Sequence, residues 1–139
     1  KVLSLWQPRA SMVAWGLKEY ETRHWTTPYR GTLLIHAAKR WTDDERTVCA
    51  TYPFNKAIGQ HLYGAISDLP RGCIIAACEL VDVVKTEGLV RLMAEERAVG
   101  NFAPGRFAWK LANVQALSTP IAVRGEQGLF EWTGILDQG

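Results

Sequence analysis

The period of apolar and polar positions changes several times along the chain. "VLSLW" at 2–6 alternates like a strand, Pro8 stands where a first helical residue is favoured, and "RASMVAW" runs into Gly16, a helix stop. "EYETRHW" alternates again: in extended backbone Glu19, Glu21 and Arg23 share one face and Tyr20, Thr22 and His24 the other, with Lys18 at the preceding turn. "GTLLIHAA" has the apolar density of a buried strand, and Thr42 with Glu45 has the spacing of a capping box that opens a helix.

Further on, "NKAIGQHLYGAISDLPRG" reads as a helical or irregular connection, because glycines and a proline interrupt it. "CIIAACELVDVVKT" is the longest strand candidate and predicts burial on both faces. "LVRLMAEERAVG" has helical spacing, "GRFAWKLANVQAL" reads as another strand, and "PIAVRG" with "GLFEW" closes the chain as a strand and a short tight segment. No internal repeat or low-complexity linker divides it. The pattern predicts one α+β domain over residues 1–139, a β-barrel with peripheral helices.

Size agrees with that reading: 139 residues, 47% of them hydrophobic, suffice for one core without metal or disulfide staples. A formal charge of only +2 means that any polyanion site is local rather than global. Cys49, Cys73 and Cys78 show no C-x-x-C spacing, and His24, His36 and His61 are far apart with no H-x-x-x-H pair, so we expect reduced thiols, no metal and no cofactor. "KVLSLW" is too short for a signal peptide's apolar region and no later run is long enough to span a bilayer. The expectation is a cytoplasmic protein with no membrane partner.

The richest chemistry lies in "GLKEYETRHW" at 16–25. Arg23 offers a planar fork for phosphate or carboxylate, Lys18 a point charge, and Glu21 an acceptor for a base amino group or a partner for either cation. With aromatic faces nearby, cation, acceptor and stacking surface are what single-strand or nucleoside recognition needs. Alternating Glu and Arg on an exposed strand equally fit plain surface ion pairs, which contribute only about 0–1 kcal/mol. Trp6, Trp15, Trp109 and Trp132 stand in apolar strings where core packing is expected, leaving Trp25 and Trp41 as candidate platforms. His36 and Lys39 in "LIHAAK" and Arg106 in "PGRFAW" fall at strand ends or glycine turns, where a cleft rim would be.

Four segments, "LSLWQPRASMVAWGLKEYETRHW", "RGTLLIHAAKRW", "GCIIAACELVDV" and "NFAPGRFAWKLANVQALSTPIAVRGEQGLFEW", together resemble the ASCH domain family over nearly the whole chain. The pattern G-x-K-x-x-E-x-R is filled by Gly16, Lys18, Glu21 and Arg23, after an L-S-x-x-Q-P opening at Leu3, Ser4, Gln7 and Pro8. Arg9 replaces the tryptophan common after the Gln-Pro pair, exchanging a stacking surface for a cation.

The resemblance implies a PUA-like fold with a cleft lined by motif residues and suited to bases or nucleosides. The implied function is nucleic-acid binding, to single-stranded RNA or a nucleotide, through Gln7, Arg9, Lys18, Glu21, Arg23, Trp25, His36, Lys39 and Arg106. The alternative is a small hydrolase acting on RNA or a modified nucleoside, with Lys18 and Glu21 as catalytic residues. Some ASCH-like proteins are amidohydrolases of N4-acetylcytidine, but their threonine nucleophile is replaced here by Glu21, and Thr22 would face the other way in a strand. A protein-binding module in a transcription or translation complex is a third class, and nothing in the residues argues for it.

Overall fold

Pro8 and Gly16 bracket the first helix much as the sequence predicts, and the remaining elements follow in order in the computed structural model, which describes residues 1–89, 92 and 94–136. They are β1 (Val2–Leu5), α1 (Arg9–Ala14), β2 (Tyr20–Arg23), β3 (Gly31–Ala37), α2 (Asp43–Cys49), α3 (Phe54–His61), β4 (Cys73–Lys85), α4 (Ala94–Ala98), β5 (Phe107–Ala122) and β6 (Leu129–Phe130). Val90, Arg91 and Met93, the early part of the helix predicted around α4, lie outside the described residues.

The ends of α1 and α2 show how local chemistry sets the elements. Gly16 takes φ of 75°, and its N–H donates to Val13 O at 2.9 Å while Leu17 N–H donates to Met12 O at 2.9 Å. These are the paired bonds of a Schellman cap, which satisfies the last carbonyls of α1 and turns the chain toward β2. At α2 the Thr42 hydroxyl accepts from Asp44 N–H at 3.2 Å and the Glu45 carboxylate accepts from Thr42 N–H at 2.6 Å, the reciprocal capping the spacing predicts.

The six strands form one mixed sheet in the order β2-β5-β4-β3-β1-β6, in which β1 and β3 run parallel and every other neighbouring pair antiparallel. Register shifts at Ile74/Ala76, Ala77/Glu79 and Leu80/Asp82, with Asn113 at φ 53°, break the β4–β5 ladder. Such bulges bend and twist a ribbon, and the sheet curls into a half-barrel with the helices at its side, an α+β architecture as expected. The helix α1 packs against β1, β3, β4 and β5, so its buried Ala10 and Val13 join Leu3, Leu5, Leu33, Ile35 and Trp109 in the main core.

Two strand expectations need correction. Only the first part of β4 is buried on both faces: Ile75 meets the main core while Ile74 packs with Val2, Leu34 and Phe130 on the other side, whereas Glu79, Val81 and Asp82 are exposed. Beyond Ala77 the strand has fewer neighbours covering it and its second face meets solvent. The "PIAV" segment is also no separate strand, because Pro120 to Ala122 continue β5. Pro120 falls where the register jumps between the Ile74–Ile121 and Ala76–Ala116 pairs, so its missing N–H costs no ladder bond.

Among the described residues no helix is long and apolar enough to cross a membrane, and no group of His, Cys, Asp and Glu could hold a metal ion. The cysteines are buried and unbridged, and burial pushes the Cys78 thiol up to about 12.

Candidate nucleic-acid interface

Strand β2 lies at one end of the sheet order and β1 near the other, yet the curl brings the end of β2 against the end of β1. Between them opens a cavity of about 370 Å³, lined by Ser4, Trp6, Arg9, Glu21, Thr22, Arg23, His24, Gly100, Asn101 and Arg106 among others. Its size is within the usual range for ligand pockets, about 300–1,000 Å³. Among the described residues this wall carries three arginines, Arg9, Arg23 and Arg106, and one carboxylate, Glu21, which gives it net positive charge.

Each charged side chain has a definite anchor. Glu21 is 7% exposed, and its Oε1 accepts from Thr22 N–H at 3.1 Å while Oε2 meets Arg23 Nη2 at 3.1 Å. Arg23 Nη2 also donates to Ser4 O at 2.8 Å, and Arg23 Nε is buried without a hydrogen-bond partner among the described residues. Arg106 donates through Nη2 to Thr22 O at 3.0 Å and through Nε to Asn101 O at 3.2 Å, which leaves part of its fork uncommitted. Arg9 stacks its guanidinium 5.4 Å above the Phe54 ring.

Lys18 lies beneath the cleft rather than in its wall. It is 1% exposed, its ammonium donates to Tyr20 O, and Nζ stands 3.8 Å from Glu21 Oε1. Gly100 lies directly over it, since a Cβ there would come within 3.1 Å of Nζ. Burial lowers the Lys18 pKa, opposed by the carboxylates of Glu21 and Glu96. Glu96 in turn accepts from Glu19 N–H at 2.6 Å and Tyr20 N–H at 3.3 Å, with its pKa raised by burial. Lys18 therefore holds Glu21 from below, and Glu21 holds the Arg23 fork.

His36 and Lys39 belong to a second cavity, of about 710 Å³, which shares Ser4 with the first and is also lined by Gly72, Arg124 and Gly125. His36 Nε2 lies 2.7 Å from Val123 O and Nδ1 2.8 Å from Ser4 Oγ. A carbonyl only accepts, so Nε2 carries the hydrogen and the Ser4 hydroxyl donates to Nδ1 of a neutral ring. Burial lowers the His36 pKa, in keeping with neutrality.

Besides Lys18, two predicted residues line neither cavity. Gln7 is 1% exposed: its Nε2 donates to Ser11 Oγ and Pro70 O, both at 2.8 Å, and its Oε1 accepts from Ser11 N–H at 3.1 Å, so it ties α1 to the segment before β4. Trp25 packs edge-on against Trp109 with ring centroids 4.8 Å apart, and its carbonyl accepts from the Trp109 indole at 3.4 Å. Trp6, assigned to the core by its apolar neighbours, is instead 51% exposed in the cleft wall, with the Arg40 guanidinium 3.9 Å over its ring. Its position just past the end of β1, before the Gln7–Pro8 turn, was the available signal. Asn101 and Arg124 carried none, lying in loops that only the fold brings close.

The family model of the ASCH domain matches residues 3–121, which includes every residue named in the first cavity. Activating signal cointegrator 1 from Mus musculus and from Homo sapiens are each 26% identical to the chain over 139 residues, covering 99% of it. The chain spans only about a quarter of their length, 23%. A crystal structure of ASCH from Zymomonas mobilis aligns with a TM-score of 0.47 at 19% identity, covering 86% of this chain and 71% of that one. A mutant form of the same protein gives 0.47 and 19%, covering 86% and 73%.

Proposed function

The chain belongs to the ASCH domain family, and from that premise we propose that it binds nucleic acid, single-stranded RNA or a nucleotide, in the cleft between β1 and β2. The observation that carries this reading is the grouping of Arg9, Arg23 and Arg106 around the buried Glu21 carboxylate, with exposed Trp6 at the rim. Arginine forks suit phosphate oxygens, a fixed carboxylate accepts from a base amino group, and an indole offers a stacking face. The unpartnered Arg23 Nε supports the same reading, because an unsatisfied buried donor has a cost of about 1–3 kcal/mol that binding sites tolerate more readily than cores.

The test is anisotropy with labelled homopolymeric single strands at two salt concentrations. Arg9→Ala removes a cation whose guanidinium rests on the Phe54 ring, so it should weaken binding to all sequences alike. It should also lower the salt slope by about 0.7 for each phosphate that is no longer neutralised. Glu21→Gln keeps shape while removing negative charge, so polyanion affinity should rise and discrimination among bases fall. Binding that is unchanged in both variants defeats the reading.

One observation favours hydrolysis as a second reading: the lowered Lys18 pKa suits a general base, with Glu21 beside it. Cleavage of labelled RNA that disappears in Lys18→Met, while the variant remains folded and binds RNA, would identify that activity.

A further inference from the structure

The arginine cleft is not isolated. Ser4 lines both it and the larger cavity, so the two adjoin at the end of β1. We propose that the larger cavity is a subsite for the phosphodiester of a neighbouring nucleotide, so that the protein takes a short single strand rather than one nucleotide. This rests on the reading of the arginine cleft as a nucleotide site.

Charge and shape in the larger cavity carry the proposal. Lys39 and Arg124 are exposed in its lining, and neither has a carboxylate partner among the described residues, while Glu126 is the one acid there. Neutral His36 adds no charge, so the two cations define the site's preference for an anion. The walls are built closely around them. A Cβ on Gly72 would come within 2.9 Å of Lys39 Cγ, which shows the lysine stem lying flat against that backbone. A Cβ on Gly125 would come within 2.8 Å of the His36 ring. Gly72 also binds both neighbouring strands, donating to Ala37 O at 2.6 Å and accepting from Val123 N–H at 3.2 Å, so the Lys39 side of the cavity is anchored to three strand ends. A strand whose base and phosphate engage Trp6 and the arginines would pass Ser4 and bring its next phosphate to Lys39 and Arg124.

The experiment is a length ladder: uridine monophosphate, then uridine di-, tri- and tetranucleotides, with the deoxy series in parallel because both share the phosphodiester. Affinity should rise about tenfold once a second phosphate is present, as for one added charged contact. Arg124→Ala should remove that gain and leave mononucleotide binding unchanged, and Lys39→Ala should likewise remove the gain. A ladder that is flat while the mononucleotide binds overturns the subsite and leaves the arginine cleft standing. Failure of every member to bind at low salt overturns both. A gain that survives Arg124→Ala and Lys39→Ala together places the second phosphate elsewhere and also overturns the subsite.

Discussion

The Arg23 guanidinium on β2 donates to the Ser4 carbonyl on β1 at 2.8 Å, although β5, β4 and β3 lie between those strands in the sheet. One side chain thus spans the open side of the half-barrel and at the same time forms a wall of the cleft. Fold closure and the cleft wall share a residue there, and substitutions at Arg23 test both.

Arg23→Lys keeps the charge and loses the fork, which serves Ser4 O and the Glu21 carboxylate together. Chemical denaturation should show a loss of about 1–3 kcal/mol, the range for a hydrogen bond to a charged group. Anisotropy should show weaker binding to every single strand. Full stability with weakened binding would mean that the Ser4 contact does not hold the two strands together.

Lys18→Met should destabilise the fold without changing the salt slope of binding. Removing the cation takes one buried partner from Glu21 and Glu96, which keep Arg23 and backbone N–H donors, so the loss should be about 1–3 kcal/mol. The native Lys18 pKa is lowered below 10.5, so the unfolded chain binds the proton more tightly than the folded one. Stability contributed at this site therefore rises as pH increases from the folded pKa toward 10.5, and the difference in urea midpoint between wild type and Lys18→Met should show that rise. A reduced salt slope in Lys18→Met would instead mean that the ammonium reaches phosphate.

Trp6→Ala and Trp25→Ala should separate function from packing. Trp6 is half exposed in the cleft, so its loss should weaken single-strand binding by about 1–3 kcal/mol, one base stack, with little change in melting temperature. Trp25 packs on the main core beside Trp109, so its loss should destabilise the fold by about 3–5 kcal/mol. Calorimetry and anisotropy on the two variants read the contrast directly, and equal effects on binding would contradict it.

His36 gives the fold an acid-side dependence. Its pKa is lowered below 6.5 by burial, so between the folded value and 6.5 the unfolded chain binds more protons and stability falls as pH is reduced. Urea midpoints from pH 7.5 to 5 should fall more steeply for wild type than for His36→Gln. Parallel curves would mean that the ring titrates alike in both states.

The chain's own sequence determined what depends on neighbours a few residues apart. Pro8 and Gly16 delimit α1, Thr42 and Glu45 open α2, and the alternation around Glu21 makes β2, because caps and strand parity act within one turn or one pleat. The motif residues Lys18, Glu21 and Arg23 could be singled out by their close spacing together with the resemblance to the ASCH pattern. Their division of labour could not: Lys18 is buried only because Gly100 and Glu96 come to it from α4 and the loop beyond, and Gln7 is occupied because Pro70 arrives beside it. Trp6 is half exposed and Trp25 packs against the core, the reverse of the burial their neighbours in sequence suggest, since apolar neighbours say nothing about which face the curled sheet covers. The cleft itself exists because β-bulges bend the β4–β5 ribbon until β2 meets β1, and that curvature is a property of pairing between distant segments rather than of any one of them.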